Sequence, residues 1–309
     1  PIQSLNVGLS HMSSVADLLG EINLEADAEK IQVTRYAASL CVYSILDHVA
    51  IDRKRALVES AAVDITKNKI MGCMVGMAVG DALGHPFEFL PISDEPTKQY
   101  FDLNTFQFHN DSNVFKLKGG QWTDDAAMGL CMADSLLVKR QFNGSDMRVR
   151  FWCWWNRGYN NAFRKDETRS ESVGLGGNIS NSLRAVGQCK SACDVPPVCD
   201  VNTEDAGNGS LMRFAPIPIY LHCAPLDEMY DIARMSSHTT HPGIIAAEAC
   251  AFLSHLVRRA LELTRPMDAR DFLDKYTQEY YESSNLFQKN GRGDEQMKWL
   301  PTPSPINGT

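Results

Sequence analysis

The sequence contains no long hydrophobic run. Its longest apolar stretch, residues 70–80, includes three glycines and falls well short of the roughly 18 residues that a membrane-spanning helix needs. The amino-terminal residues also lack the basic segment followed by an apolar one that is typical of a secretory signal. These two absences predict a cytoplasmic protein without a membrane partner.

Positive charge and paired cysteines are also scarce. Lysine and arginine number 30 against 38 aspartates and glutamates, a net charge of −8. Binding to a nucleic-acid backbone needs a basic surface, so this balance argues against a nucleic-acid partner. The nine cysteines form no CxxC pair, and no histidine completes a zinc pattern around them. We expect reduced, mostly buried thiols, as in a cytoplasmic protein.

Alternating strand patterns are nearly absent, apart from a doubtful piece near residues 106–108. Helical periodicity dominates instead. One apolar series at helical spacing comprises Ile245, Ala249, Phe252, Leu256 and Ala260. We therefore predict an all-α fold, built as a compact set of many helices.

The sequence pattern predicts three parts. Residues 1–68 have the polar helical character of an extension, which we expect to pack against the body or to reach a protein partner. Lys67, Asn68 and Lys69 are expected to form a short junction. Residues 69–288 alternate helices with glycine-rich loops, as in a helical domain. Residues 289–309 carry three prolines and three glycines and are expected to be a loop or tail.

Three consecutive oxygen donors stand in the segment GGQWTDDAAM, residues 119–128. Thr123, Asp124 and Asp125 fall where a helix is expected to begin. A helix amino terminus favours such residues as caps, so ordinary capping explains one of the acidic side chains. Two aspartates after a hydroxyl exceed what capping needs, and hard oxygen ligands suit Mg²⁺, Mn²⁺ or Ca²⁺. Capping and metal binding both remain open from the residues alone.

A second segment, GMAVGDALGHPFEF at residues 76–89, carries a glycine every four residues and the acidic residues Asp81 and Glu88. Glycines at this spacing share one helix face and permit close approach of a neighbour. Taken alone, the pattern favours a tightly packed, buried helix with one hydrogen-bonded aspartate.

Two glycine-rich loops and a histidine segment complete the candidates. The loop GLGGN at residues 174–178 precedes a helix expected near 180–186, and the loop GNGS occupies residues 207–210. Backbone N–H groups in such loops can face an anion, although tight turns also need glycine. Arg213 is expected to meet a phosphate or a buried carboxylate. His241 belongs to the segment SSHTTHP, where a structural hydrogen bond is the common alternative to a binding role.

In combination and in order, GDALGHPFEF, WTDDAAM, GNGSLMR and SSHTTHP resemble the ADP-ribosylglycohydrolase family, which includes the dinitrogenase-reductase-activating glycohydrolases. The resemblance covers residues 70–265. It implies an all-α fold with two divalent cations, usually Mg²⁺, in a central cleft. It also implies a hydrolase that removes ADP-ribose from protein side chains by breaking the glycosidic bond at C1″.

The resemblance assigns roles to particular residues. Metal ligands would be Thr123, Asp124 and Asp125. Catalytic roles would fall to the same two aspartates, which order the attacking water, and to Glu88, on a mobile loop over the site. Residues lining the ADP-ribose pocket would be Gly207, Asn208, Gly209, Ser210 and His241. By looser analogy, the diphosphate would lie near Gly174, Gly176, Gly177 and Asn178.

One motif of the family has no match in this sequence. The family carries a second acidic metal motif of Gly-Asp-x-Asp-Thr type, and Gly293-Asp294-Glu295 has the wrong context for it. We expect either a truncated piece or a natural variant with an incomplete metal site. Two alternatives to hydrolysis follow: a catalytically impaired or inhibitory protein that binds ADP-ribose, and a structural protein like the lens crystallins that resemble this family.

Overall fold

The computed structural model describes residues 44, 46, 49–88, 101–102, 107–108, 114–163, 172–190, 192–200 and 207–283. Over these ranges the chain is predominantly helical, which confirms the predicted all-α class. The helices are α1 (Ile51–Ala62), α2 (Ile65–Gly84), α3 (Asp124–Lys139), α4 (Gly144–Arg157), α5 (Gly177–Gly187), α6 (Pro216–Tyr220), α7 (Leu226–His238), α8 (Ile244–Glu262) and α9 (Ala269–Ser283). Short 3₁₀ turns lie at His85–Phe87, Ala192–Asp194 and Asn208–Ser210.

The hydrophobic core lies between α3, α4, α7 and α8. Helix α3 buries Met128 and Met132 there, and α4 buries Phe151 and Trp154. Helices α7 and α8 pack against each other along their lengths, and α5 closes the core from the side of α4. This packing fixes the amino termini of α3 and α5 and the carboxyl end of α2 around a common space.

The expected junction at Lys67, Asn68 and Lys69 is wrong, because these residues lie in the first turns of α2. Asp64 caps this helix by accepting a hydrogen bond from the Lys67 backbone N–H at 2.9 Å. The lysine at position 69 donates to carbonyls at the end of α8, including Leu261 at 3.2 Å. Residues 1–43 and 284–309 lie outside the described residues, so the extension predicted over residues 1–68 and the tail predicted over residues 289–309 stay predictions.

Periodicity predicted the helix α8 but not its buried face. The apolar series from Ile245 to Ala260 is half-buried or exposed throughout. Apart from Leu261, the buried residues of α8 are small or polar: Ala246, Ala247, Glu248, Cys250, Ala251, Ser254 and His255. Small side chains on α8 allow α7 to approach closely. The face of α8 that is buried is therefore the one that permits close packing, and not the one with the most apolar side chains.

Two short strands stand apart from the helices. Phe101–Asp102 (β1) pairs antiparallel with Gln107–Phe108 (β2), in register Phe101 to Phe108, at the place where the sequence offered a doubtful strand. Within the described ranges, no helix combines the length and the apolar character needed to cross a membrane.

Candidate active site

Twelve residues selected from the sequence line one cavity of about 1000 Å³. These residues are Glu88, Thr123, Asp124, Asp125, Gly174, Gly176, Gly177, Asn178, Gly207, Asn208, Gly209 and His241. The cavity is formed by the carboxyl end of α2, the amino termini of α3 and α5, the 3₁₀ turn Asn208–Ser210, and the turn after α7. Segments separated by more than a hundred residues therefore meet at one place.

The glycine face of α2 forms part of this cavity wall. A Cβ atom added at Gly76, Gly80 or Gly84 would have no described atom within 4 Å. Gly80 and Gly84 line the cavity directly. The expected close packing against these glycines is therefore wrong among the described residues: on this side the helix borders open space, although Asp81 itself is buried.

Asp81 caps helix α3 from another helix. Both of its carboxylate oxygens accept from the Thr123 backbone N–H at 2.9 Å, and one also accepts from the Ala126 N–H at 2.9 Å. The Thr123 hydroxyl donates to the same carboxylate at 2.7 Å. Thr123 itself forms no side-chain cap, so the capping expected of the Thr-Asp-Asp segment is supplied by Asp81. Asp124 and Asp125 are thereby left at the cavity wall.

Replacing this cap is expected to destabilise the protein. Asp81→Asn replaces one of the two acceptor oxygens with an NH₂ group. This group would point a donor at a backbone N–H of α3, where the carboxylate now accepts. The free energy of unfolding, measured by urea denaturation, should fall by about 1–3 kcal/mol. The control is Asp52→Asn, whose side chain is 90% exposed, and which should change stability by less than about 0.5 kcal/mol. Equal stability of the two variants would contradict the capping role.

The two aspartates at the start of α3 are unusually basic carboxylates. Burial, with repulsion from Asp125, raises the pKa of Asp124 to about 8. Burial, with repulsion from Asp81, raises the pKa of Asp125 to about 6. Such crowding of negative charge is unfavourable unless protons or a cation neutralise it.

Glu88 follows the 3₁₀ turn His85–Phe87 and lies exposed at the cavity mouth. Desolvation and repulsion from Asp81 raise the pKa of this carboxyl above its usual range. Repulsion from Glu88 in turn contributes to the raised pKa of Asp125, and both residues line the cavity. The predicted mobile loop continues into residues 89–100, which lie outside the described residues.

The glycine-rich loop before α5 contacts Asp124 directly. Gly174 has a φ of +87°, and a Cβ there would lie 2.0 Å from Asp124 Oδ1. Helix α5 begins at Gly177, three residues before the predicted start, with no capping side chain and no acidic residue in its first turn. Its amino terminus therefore presents backbone N–H groups to the cavity, an arrangement that favours an anion.

His241 lies against the loop Gly207–Ser210. A Cβ at Gly209 would lie 2.8 Å from the imidazole Cε1, and one at Gly207 would lie 3.2 Å from Nε2. The glycines therefore allow the backbone to pack against the ring. Burial, followed by the positive charge of Arg213, lowers the pKa of His241 to about 3, so the ring is neutral at physiological pH.

Ser210 is the predicted pocket residue that does not line the cavity. Its side chain is 1% exposed and accepts hydrogen bonds from the Ser237 hydroxyl at 2.8 Å and the Cys250 thiol at 3.7 Å. Both donors lie on the core side of the loop. The hydroxyl of Ser210 thus anchors the loop to α7 and α8, and the predicted contact of this residue with ligand stays a prediction.

A family model described as ADP-ribosylglycohydrolase matches residues 62–301 of this chain. The chain belongs to the ADP-ribosylglycohydrolase family. This confirms the resemblance drawn from the sequence motifs. The match begins within α1, ahead of the glycine-rich part of α2.

Several curated ADP-ribosylglycohydrolases and their relatives are similar to this chain. ADP-ribosylarginine hydrolase Tri1 of Pseudomonas putida (strain GB-1) is 27% identical over 63% of this chain and 47% of its own length. ADP-ribosyl-[dinitrogen reductase] glycohydrolase of Rhodospirillum rubrum is 26% identical, over 63% and 58% respectively. ADP-ribosylhydrolase ARH3 of Gallus gallus is 27% identical, over 63% and 50%. The chain spans about half the length of these relatives.

A solved structure supports the family fold. A chain of an "ADP-ribosylglycohydrolase-related protein complex" has a TM-score of 0.52 to this chain at 24% identity, covering 74% of this chain and 69% of that chain. At this identity the similarity establishes the helical fold.

The described residues of this chain offer a partial set of metal ligands. No three histidine, cysteine, aspartate or glutamate side chains come together there as ligands for a metal ion. The hydroxyl of Thr123 and the carboxylates of Asp124 and Asp125 nevertheless match a hard cation in type. The Thr123 hydroxyl hydrogen points to Asp81, so its lone pairs remain for a cation. Mg²⁺ commonly keeps several waters and few protein ligands, and one such ion fits this set.

Proposed function

We propose that this chain is a hydrolase that removes ADP-ribose from modified protein side chains with the help of Mg²⁺. The observation that carries the proposal is the arrangement of the cavity. A pair of aspartates at the start of α3 and the uncapped amino terminus of α5 border the same space. The first feature suits a cation and ribose hydroxyls, and the second suits a phosphate.

The size of the cavity agrees with a nucleotide-sugar ligand. Ligand pockets commonly measure about 300–1,000 Å³, and this one lies at the upper end at about 1000 Å³. Glycines supply much of the wall, so the backbone can approach the ligand closely. The carboxylates of Asp124 and Asp125 line this cavity together with the exposed Glu88, and the bond to the protein side chain would be placed beside them.

The residues that line the cavity would each have a role in hydrolysis. Thr123, Asp124 and Asp125 would hold Mg²⁺, which when bound polarises ribose hydroxyls and acidifies a neighbouring water. Asp124 or Asp125 would orient the water that attacks C1″ as the glycosidic bond breaks through an oxocarbenium-like transition state. Glu88, at the mouth, would assist proton transfer to the leaving side chain or control access. The N- or O-glycosidic linkage, to arginine, serine or another residue, is left open by this geometry.

A second candidate function is binding without hydrolysis. It is favoured by the partial set of metal ligands among the described residues. A protein of this kind would hold ADP-ribose through the α5 amino terminus, the loop Gly207–Ser210 and His241, with no need for Mg²⁺.

Calorimetric titration with ADP-ribose, first with Mg²⁺ and then with EDTA, separates these functions. The proposal predicts binding that weakens at least roughly tenfold in EDTA. Equal affinity in both conditions would support the binding protein. No binding in either condition would contradict both and favour a structural role on this scaffold.

The two raised pKa values predict how Mg²⁺ acts on stability. Protonated carboxyls are favoured in the folded protein, so stability without metal declines as pH rises above the ordinary carboxyl pKa of 3.8 and levels off above about 6 for Asp125 and about 8 for Asp124. Mg²⁺ requires the charged carboxylates, so the rise in Tm that it produces should be larger at pH 8.5 than at pH 5.5. Thermal denaturation with Mg²⁺ or EDTA measures this difference.

The double variant Asp124→Asn, Asp125→Asn supplies the control. It removes both titrating groups, and the effect of Mg²⁺ on Tm should become small at both pH values. If Mg²⁺ raises Tm of the unmodified chain equally at pH 5.5 and pH 8.5, these aspartates are not its ligands.

A further inference from the structure

Arg213 is a buried cation outside the cavity wall. Its side chain is 0% exposed, and its guanidinium lies 4.4 Å from the centre of the Phe151 ring. Among the described residues it forms no ion pair. Its strongest hydrogen bond goes to the Thr240 hydroxyl at 2.6 Å, with a longer one to Thr239 at 3.2 Å. The phosphate or carboxylate partner expected from the sequence is therefore replaced by two hydroxyls.

Thr240 connects this cation to His241. Its hydroxyl oxygen lies 2.8 Å from Nδ1 of His241, and the side chain is 0% exposed. A guanidinium donates and never accepts, so the Thr240 oxygen is the acceptor of the bond from Arg213. The hydroxyl hydrogen then needs an acceptor of its own, and His241 Nδ1 is the one within reach among the described residues.

This chain of bonds selects one form of the imidazole. If Nδ1 accepts from Thr240, the single ring proton of the neutral histidine must be on Nε2. The opposite form would point two donors at the Thr240 oxygen and leave its hydroxyl hydrogen buried without an acceptor. A doubly protonated ring is disfavoured as well, because the ring is buried beside the positive charge of Arg213.

The Nε2 edge of the ring faces the ligand side. His241 lines the cavity, and Nε2 forms no hydrogen bond with the described residues. Gly207 and Gly209 border the same edge, where a Cβ would lie 3.2 Å and 3.0 Å from Nε2. An N–H at this position is available to donate to an acceptor oxygen of a ligand, such as a phosphate or ribose oxygen.

We infer that Arg213 and Thr240 are positioning residues that hold His241 as an Nε2–H donor for an acceptor oxygen of ADP-ribose. The identity of the ligand rests on the proposed function, whereas the form of the ring does not. Neither residue is among those that line the cavity. Their effect passes through the orientation and protonation of one imidazole.

The test compares Thr240→Val with the matched variant Thr239→Val. Both remove a buried hydroxyl that contacts Arg213, but only Thr240 contacts His241. The readout is the ¹⁵N–¹H spectrum of the histidine rings, with the His241 signals assigned from His241→Gln. The unmodified chain should show Nε2–H and an unprotonated, hydrogen-bonded Nδ1. Thr240→Val should change this signature, while Thr239→Val should leave it unchanged and Thr240→Ser should restore it.

Calorimetric titration with ADP-ribose gives the second readout. Thr240→Val should weaken binding about 5- to 30-fold, the range expected for one misplaced hydrogen bond, and Thr240→Ser should recover it. An unchanged ring signature in Thr240→Val, or an altered signature with unchanged affinity, would overturn the inference. Failure of the unmodified chain to bind ADP-ribose would instead overturn the proposed function, and the spectrum would still decide the form of His241.

Discussion

Asp124→Asn and Asp125→Asn should each lower the release of ADP-ribose from an ADP-ribosylated protein by at least roughly 100-fold. Each change removes a carboxylate that would hold Mg²⁺ and orient the attacking water. The shape of the side chain is retained, so the cavity should persist. The measurement is the initial rate of ADP-ribose release at saturating Mg²⁺ and pH 8.

Stability distinguishes this loss from unfolding. Because burial and repulsion raise the pKa of both carboxyls, removing either charge should leave the Tm at pH 8 unchanged or higher. Asp231→Asn is the control, since Asp231 lies on α7 with a side chain 77% exposed and does not line the cavity. Its rate should match that of the unmodified chain. A rate retained within threefold in Asp125→Asn would exclude that residue from the reaction.

Gly174→Ala should lower both the stability of the protein and its rate of hydrolysis. At φ +87° a side chain is strained, and the new Cβ would lie 2.0 Å from Asp124 Oδ1. We expect the free energy of unfolding to fall by about 2–4 kcal/mol, from backbone strain and displacement of neighbours together. Displacement of Asp124 by about 1 Å should also lower the rate of hydrolysis roughly 100-fold. Urea denaturation and the release assay measure the two effects.

Gly72→Ala is the matched control for this substitution. A Cβ at Gly72 meets no described atom within 4 Å, and the residue lies within α2, away from the cavity lining. Alanine should stabilise the helix there by about 0.5–1 kcal/mol and leave the rate unchanged. If Gly174→Ala behaves like Gly72→Ala, the contact between the loop and Asp124 is not required.

Sequence reasoning found the pieces of this site because each piece is local. Thr-Asp-Asp at a helix start, glycines before a helix and a histidine after one are patterns of adjacent residues, and their order resembles one family. The all-α class followed from periodicity in the same way. These features need no knowledge of which segments meet.

Local sequence patterns did not predict which segments contact each other. The hydrogen bond from Thr123 to Asp81 joins residues 42 positions apart. The residues next to Thr123 in sequence do not indicate that the cap of α3 comes from another helix. Ser210 illustrates the same limit, since its neighbours in sequence line the cavity while its own side chain turns to Ser237. The buried face of α8 was also missed, because close helix packing selects small side chains over large apolar ones.

The measurement that tests the account most directly is the release of free ADP-ribose from an ADP-ribosylated protein by the unmodified chain. The assay is run in Mg²⁺ and in EDTA, with a sample that lacks the protein as the blank. We predict release in Mg²⁺ that exceeds the blank by at least roughly 100-fold and is lost in EDTA. Release no greater than the blank in Mg²⁺, from a chain that binds ADP-ribose, would contradict hydrolysis and establish a binding protein in its place.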